Sequence, residues 1–196
     1  DFAAEIVSRI SRDQIWVPPY PGVAIKLHQL ISSDSYTTKD IEKVIMADQT
    51  LAATILRYAN SALNRRGDPI TALTTAIGRL GSRELMRIAI ASKMSSEVLT
   101  DGPFQQLRYF YWRQALSCAI FASQYAHRKR IDPDNAFLSA LLHNFGATIC
   151  IACLEQIVGQ QEGLLARPRA FWTDLIERFH VELGLVMATK WNLPPY

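Results

Sequence analysis

The stretch Ala136–Gly146, AFLSALLHNFG, decides how the rest of this 196-residue chain is read. It is an apolar helical run closed by His143, Asn144, Phe145 and Gly146. Asp132 and Pro133 supply its cap and first helical position, and Gly146 is expected to end it. His143-Asn144 is either half of a metal site or the remains of one.

Working outward, helical periodicity continues almost everywhere and nothing alternates with the period of a strand, so the fold is expected to be all-α. A long helix from Phe104 to about Lys129 precedes the opening stretch. Its aromatic residues Phe104, Tyr109, Phe110, Tyr111 and Trp112 read as core and half-core. After Gly146 come helices over Ala147–Gln161, Pro168–Phe179 and Val181–Asn192, the last stopped by Pro194-Pro195. Towards the N-terminus, Asp101-Gly102-Pro103 is the clearest breaker and divides the chain into two helical halves, 1–100 and 101–196, of one domain.

The first half opens with Phe2–Ile15, then the extended WVPPYPG, whose Pro18, Pro19 and Pro21 forbid a helix. That segment reads as a strap over the bundle, anchored by Trp16 and Tyr20. Val23–Ile31 is a short helix. Thr38 can cap the next, with Ile41, Val44 and Ile45 inward, and Asp48 the one after, whose buried stripe is Leu51, Ile55, Leu56 and Ala59. Asn60-Ser61 closes that helix and ties down the following loop. The helix TALTTAIGRLG ends at Gly81, and Ser82 starts another that runs to about Leu99. The break at Gly81-Ser82 leaves only Arg83 and Arg87, and not Arg79, on a shared face.

Hydrophobic residues make up 49% and charged residues 20%, which excludes a disordered chain. A chain of this length buries roughly 70% of its unfolded surface and needs no staples. Cys118, Cys150 and Cys153 are odd in number and lie among apolar neighbours, which suits buried reduced thiols in a cytoplasmic protein. The Cys-x-x-Cys of CIAC has no second pair to complete a zinc site. No stretch approaches roughly 18 uninterrupted apolar residues, so no membrane span is expected. The net charge is +3; its clusters, Arg65-Arg66 and His127–Arg130, suit solvent and a helix C-terminus better than a nucleic-acid stripe.

Of four histidines, His28 and His127 read as surface residues. His143 and His180 lie in LLHNFG and HVELG. With these, VPPYPGVAIKLHQLI, DQTLAATILRYANSA, AIGRLG, YWRQALSCA and WNLP occur in an order that resembles the HDOD domain, a bacterial signalling module related to the HD phosphohydrolases. The resemblance runs from about Val17 to Pro194. It implies a compact multi-helix bundle in two packed halves, with an HD-like helical core in the second. Pro18, Pro19, Pro21, Asn60, Ser61, Gly81, Gly146, Trp191 and Pro194 would carry its structural motifs.

In catalytic relatives a His stands about where Gln114 is, and an Asp where Asn144 is. Both positions here are neutral amides, poor ligands for a hard cation. His143 and His180 alone make a weak site for the iron, manganese or magnesium of such hydrolases. The set is read as vestigial, with His143 in a buried hydrogen bond and Asn144 capping or bridging the helix end. No metal, cofactor or catalytic residue is expected. The resemblance implies a non-catalytic signal-transduction or scaffolding module that binds through grooves between its halves. Its partners would be other signalling proteins, attached signalling domains or a second copy, not a membrane or nucleic acid. The competing readings are a metal-dependent phosphohydrolase or cyclic-nucleotide phosphodiesterase and, on the pI of 8.8, a nucleic-acid binder.

Overall fold

The computed structural model describes residues 2–18, 21–31, 33, 35–62, 64, 67–159 and 166–192, without the side chains of Ala24, His28 and Glu97. Pro19, Tyr20, Arg65, Arg66, Pro194 and the His28 ring therefore lie outside the described residues. The described chain is all-α: α1 Phe2–Ser11, α2 Gly22–Ile31, α3 Thr38–Met46, α4 Gln49–Ala59, α5 Leu73–Leu80, α6 Ser82–Val98, α7 Gln105–Lys129, α8 Pro133–Leu142, α9 Phe145–Val158 and α10 Arg169–Lys190. They form two compact units, one of residues 20–96 and one of residues 1–19 with 97–196.

The unit 20–96 holds α2 to α5 and most of α6 around Leu27, Ile41, Ile45, Leu51, Ile55, Ala76, Ile77 and Leu85, all buried. Its helix ends follow local chemistry. Asp48 caps α4 through the Leu51 N–H at 3.0 Å. Gly81 ends α5 at φ 78°, a conformation that costs glycine least. Thr37, one residue earlier than expected, caps α3 in a reciprocal box with Asp40. The reason is that Asp40 sits at the third helical position only when Thr37 is the cap.

The other unit is built around α9, buried over 11 of its 14 residues, with α1, α7 and α10 packed on it and α8 on α7. The run Pro133–Val158 is long and apolar enough to resemble a membrane span, but it breaks at His143-Asn144 into α8 and α9 and is mostly buried in the protein. Three sequence expectations are corrected in this unit. Gly146 does not end a helix; it lies in the first turn of α9. No break separates 179 from 181, because Phe179-His180-Val181 offers neither proline nor glycine, and α10 runs through. The strap is anchored by buried Ile15 and Pro18 rather than by Trp16, which is 48% exposed. Trp191 Nε1 donates to the Pro18 carbonyl at 2.7 Å and Lys190 Nζ to that of Ile15 at 3.0 Å, so the strap needs no outward-facing anchor.

Candidate functional site

His143 and Asn144 are the two residues between α8 and α9. Their position against α10 is set by Gly146. A Cβ built there would penetrate the His180 carbonyl and lie 2.6 Å from the Gly184 nitrogen. Only a glycine lets the first turn of α9 rest on the α10 backbone, and this contact is what brings the 143–146 corner beside His180. Gly184, four residues after His180 and hence on the same helix face, contributes its backbone nitrogen to the seat. Gly184 is absent from the residues expected at the site, although its spacing in HVELG is the available signal.

The two imidazoles behave alike. His143 Nδ1 donates to the Ala140 carbonyl at 2.7 Å, and His180 Nδ1 donates to that of Glu177 at 2.8 Å. A carbonyl can only accept, so in each neutral ring the proton sits on Nδ1 and the lone pair on Nε2. His143 is exposed, not buried as expected, because the helix break turns it outward and its bond is satisfied within its own last turn.

Asn144 is 9% exposed. It holds the N-cap position of α9 without a side-chain capping bond. Its Nδ2 instead donates to Gln114 Oε1 of α7 at 3.1 Å. Asn144 therefore bridges two helices and does not cap. One hydrogen bond joins the two amides, at the two positions where the HD-type arrangement would need a nitrogen ligand and a charged oxygen.

The residues present do not fit the divalent ion that HD-type hydrolases hold. Gln114 and Asn144 bring no charge and are engaged with each other, and two imidazole Nε2 atoms remain. Hard cations need anionic oxygen. Among the described residues no group of three or more His, Cys, Asp or Glu side chains converges to hold a metal.

The other sequence candidates have structural partners. Asn60 Nδ2 donates to the Leu56 and Ile70 carbonyls at 3.0 and 2.8 Å, and its Oδ1 accepts from the Ile70 N–H at 2.7 Å. Ser61 Oγ accepts from Asn64 at 3.3 Å. Pro21 immediately precedes α2, and its carbonyl accepts from the Ile25 N–H at 3.3 Å. The Trp191 ring also packs on Phe145, with centroids 5.4 Å apart. Burial pushes the Cys150 thiol up to about 12 and raises that of Cys153, so both are inert at neutral pH. Cys118 is exposed, contrary to expectation, because it faces out from α7.

One interaction had no sequence signal. Arg108 of α7, 4% exposed, donates from Nε and Nη2 to the two oxygens of Glu155 of α9, and from Nη1 to the Val98 carbonyl at 3.4 Å. Glu155 is 47 residues away in sequence. Its oxygen would meet a Cβ on Gly102 at 2.8 Å, so the breaker glycine also makes room for the pair.

The HDOD domain model matches residues 17–196. The chain is 26% identical, over 98% of its length, to an uncharacterised protein of Treponema pallidum (strain Nichols), and spans 37% of that protein. Among solved structures it resembles a Shewanella amazonensis SB2B protein provisionally named a metal-dependent phosphohydrolase, with TM-score 0.74, 20% identity and coverage of 98% of this chain and 70% of that one. It also resembles an HDOD domain protein of unknown function from Geobacter sulfurreducens, with TM-score 0.64, 22% identity and coverage of 98% and 65%. A third is a Marinobacter aquaeolei VT8 protein provisionally named a signal transduction protein, with TM-score 0.61, 20% identity and coverage of 98% and 47%. At these identities the three likenesses establish the fold.

Proposed function

Since the chain belongs to the HDOD domain family, we propose that it is a non-catalytic signal-transduction or scaffolding module that works through protein–protein contacts in the cytoplasm of a bacterium. The observation that carries this reading is the Gln114–Asn144 hydrogen bond, which joins two neutral amides at the place where hydrolysis would need a nitrogen ligand and a charged oxygen. Activation of water requires an ion held beside a fixed nucleophile position, and the bond supplies neither charge nor free ligand there. The buried, unreactive Cys150 and Cys153 suit a reducing compartment. Partners are other signalling proteins, signalling domains attached in a longer chain, or a second copy.

The test is metal analysis of protein purified without added metal, together with turnover of bis(p-nitrophenyl) phosphate and cyclic dinucleotides in the presence of manganese, iron or magnesium. The reading expects substoichiometric metal and turnover equal to that of His143→Ala. Stoichiometric metal and turnover, both lost in His143→Ala and His180→Ala, would establish the phosphohydrolase instead. Tight binding to duplex or single-stranded DNA that weakens steeply with salt would favour the nucleic-acid binder.

A further inference from the structure

α7 has two chemically distinct faces. Its inner face buries Leu107, Tyr111, Trp112, Ala115 and Ala119, and the one cation there, Arg108, is paired with Glu155. Its outer face keeps large rings in solvent: Phe110 is 50% exposed, Phe121 71% and Tyr125 62%. Positions 110, 114, 117, 121, 125 and 128 follow the alternating four- and three-residue spacing of one helical stripe. From Phe110 to Arg128 that stripe runs about 27 Å along the axis. Ile120 and Tyr109, both exposed, widen it on one flank.

The charge along this face is one-sided. The 25 residues of α7 contain no Asp or Glu. Arg113 and Arg128 have no carboxylate partner among the described residues, and Arg108, on the inner face, is paired with Glu155. The ends of the stripe carry further cations over its rings: Arg169 lies 5.8 Å from the Phe110 centroid, and Lys129 lies 5.6 Å from that of Tyr125. Exposed aromatics along one helical stripe mark an interaction surface, and cations at both ends set the sign of what fits it.

We infer that the outer face of α7 is the docking surface for an acidic amphipathic helix of a partner protein, laid along α7 with apolar anchors against Phe110, Phe121 and Tyr125 and carboxylates against Arg113, Arg128 and Lys129. A second copy of the same face would set cation against cation, which disfavours self-pairing through it. A nucleic-acid strand would want cations distributed between the rings, but Gln114, Ser117 and Gln124 are neutral. The assignment rests on the signalling reading above and names the surface and partner chemistry for it.

The probe is a synthetic helical peptide of about five turns with Leu on one stripe and Glu on the rest, matched by the same peptide with Lys for Glu. Fluorescence anisotropy should show saturable binding of the Glu peptide only. Phe121→Ala/Tyr125→Ala should weaken it at least about tenfold, Arg113→Glu/Arg128→Glu should shift preference to the Lys peptide, and Lys39→Glu on α3 should change nothing. Circular dichroism melts identify any variant that fails to fold. Absence of saturable binding overturns the assignment. So does equal or tighter binding, through the same residues, of oligothymidylate or of phosphatidylcholine–phosphatidylserine vesicles. Metal-dependent turnover in the earlier experiment would sink the signalling reading whatever the peptide does. Failure of the peptide alone removes only the surface.

Discussion

Asn60 and Asn144 each stand at a helix break, one in each compact unit, yet they are held by different kinds of partner. Asn60 bonds only to peptide groups, two carbonyls and one N–H, and so closes the loop between α4 and α5 as a strand neighbour would. Asn144 bonds to another side-chain amide. Peptide groups cannot be turned over, so at position 60 donor and acceptor are both fixed. The Gln114 amide can be, so position 144 tolerates either polarity. The difference teaches that an asparagine at a helix break is fixed in one polarity when its partners are backbone, and can exchange polarity when its partner is a side-chain amide.

The sharpest way to break this comparison is at the glycine that seats the 143–146 corner. Gly146→Ala drives a Cβ into the α10 backbone, which cannot yield as a side chain end would. The expected loss exceeds the ~1–3 kcal/mol of ordinary overpacking, and chemical denaturation should find the unit with α7 to α10 unfolded or molten. Gly184→Ala, whose Cβ would meet Gly146 at an ordinary 3.9 Å, should be close to neutral in the same assay. Equal effects would refute the one-sided seat.

Next comes charge. Glu155→Ala leaves the Arg108 guanidinium buried with only the Val98 carbonyl, and should cost about 3 kcal/mol in denaturant midpoint analysis. Glu155→Gln should recover part of that loss.

The asparagines themselves give the third and fifth effects. Asn60→Asp removes the donor and turns an oxygen on two carbonyls, for about 2–3 kcal/mol. Asn144→Asp needs only the Gln114 amide to rotate, and should cost less than ~1 kcal/mol. Similar losses at the two positions would remove the distinction drawn above.

Between them lies a pH effect in the unit 20–96. The hydrogen bond from Lys93, then the Leu51 N–H, holds Asp48 below its ordinary value of 3.8. A carboxyl with a lowered folded pKa stabilises above its unfolded value, and the contribution disappears as pH falls through the folded one. Denaturation midpoints should therefore drop below about pH 4 in the wild type by an amount that Asp48→Asn does not show, about 1 kcal/mol for a helix cap.

Much of the fold was legible because helix ends are local events. Asp48, Asp132-Pro133 and Gly81 act on peptide groups within three or four residues, so their positions in the sequence place α4, α8 and α5. The same locality explains the one-residue slip at Thr37, where the capping partner was overlooked. At the candidate site the amides at 114 and 144 could be read as weak ligands from their chemistry alone. Their bond to one another could not, since they are 30 residues apart.

By itself, the amino-acid sequence determined the all-α class, most helix boundaries and the neutral amides at positions 114 and 144, because these depend on residue type and near neighbours. Tertiary structure alone decided that Gly146 serves close approach rather than a helix stop, that Asn144 bonds to Gln114, and which rings of α7 stay uncovered. Each of those depends on what distant segment lies opposite, and periodicity along one helix carries no information about that segment.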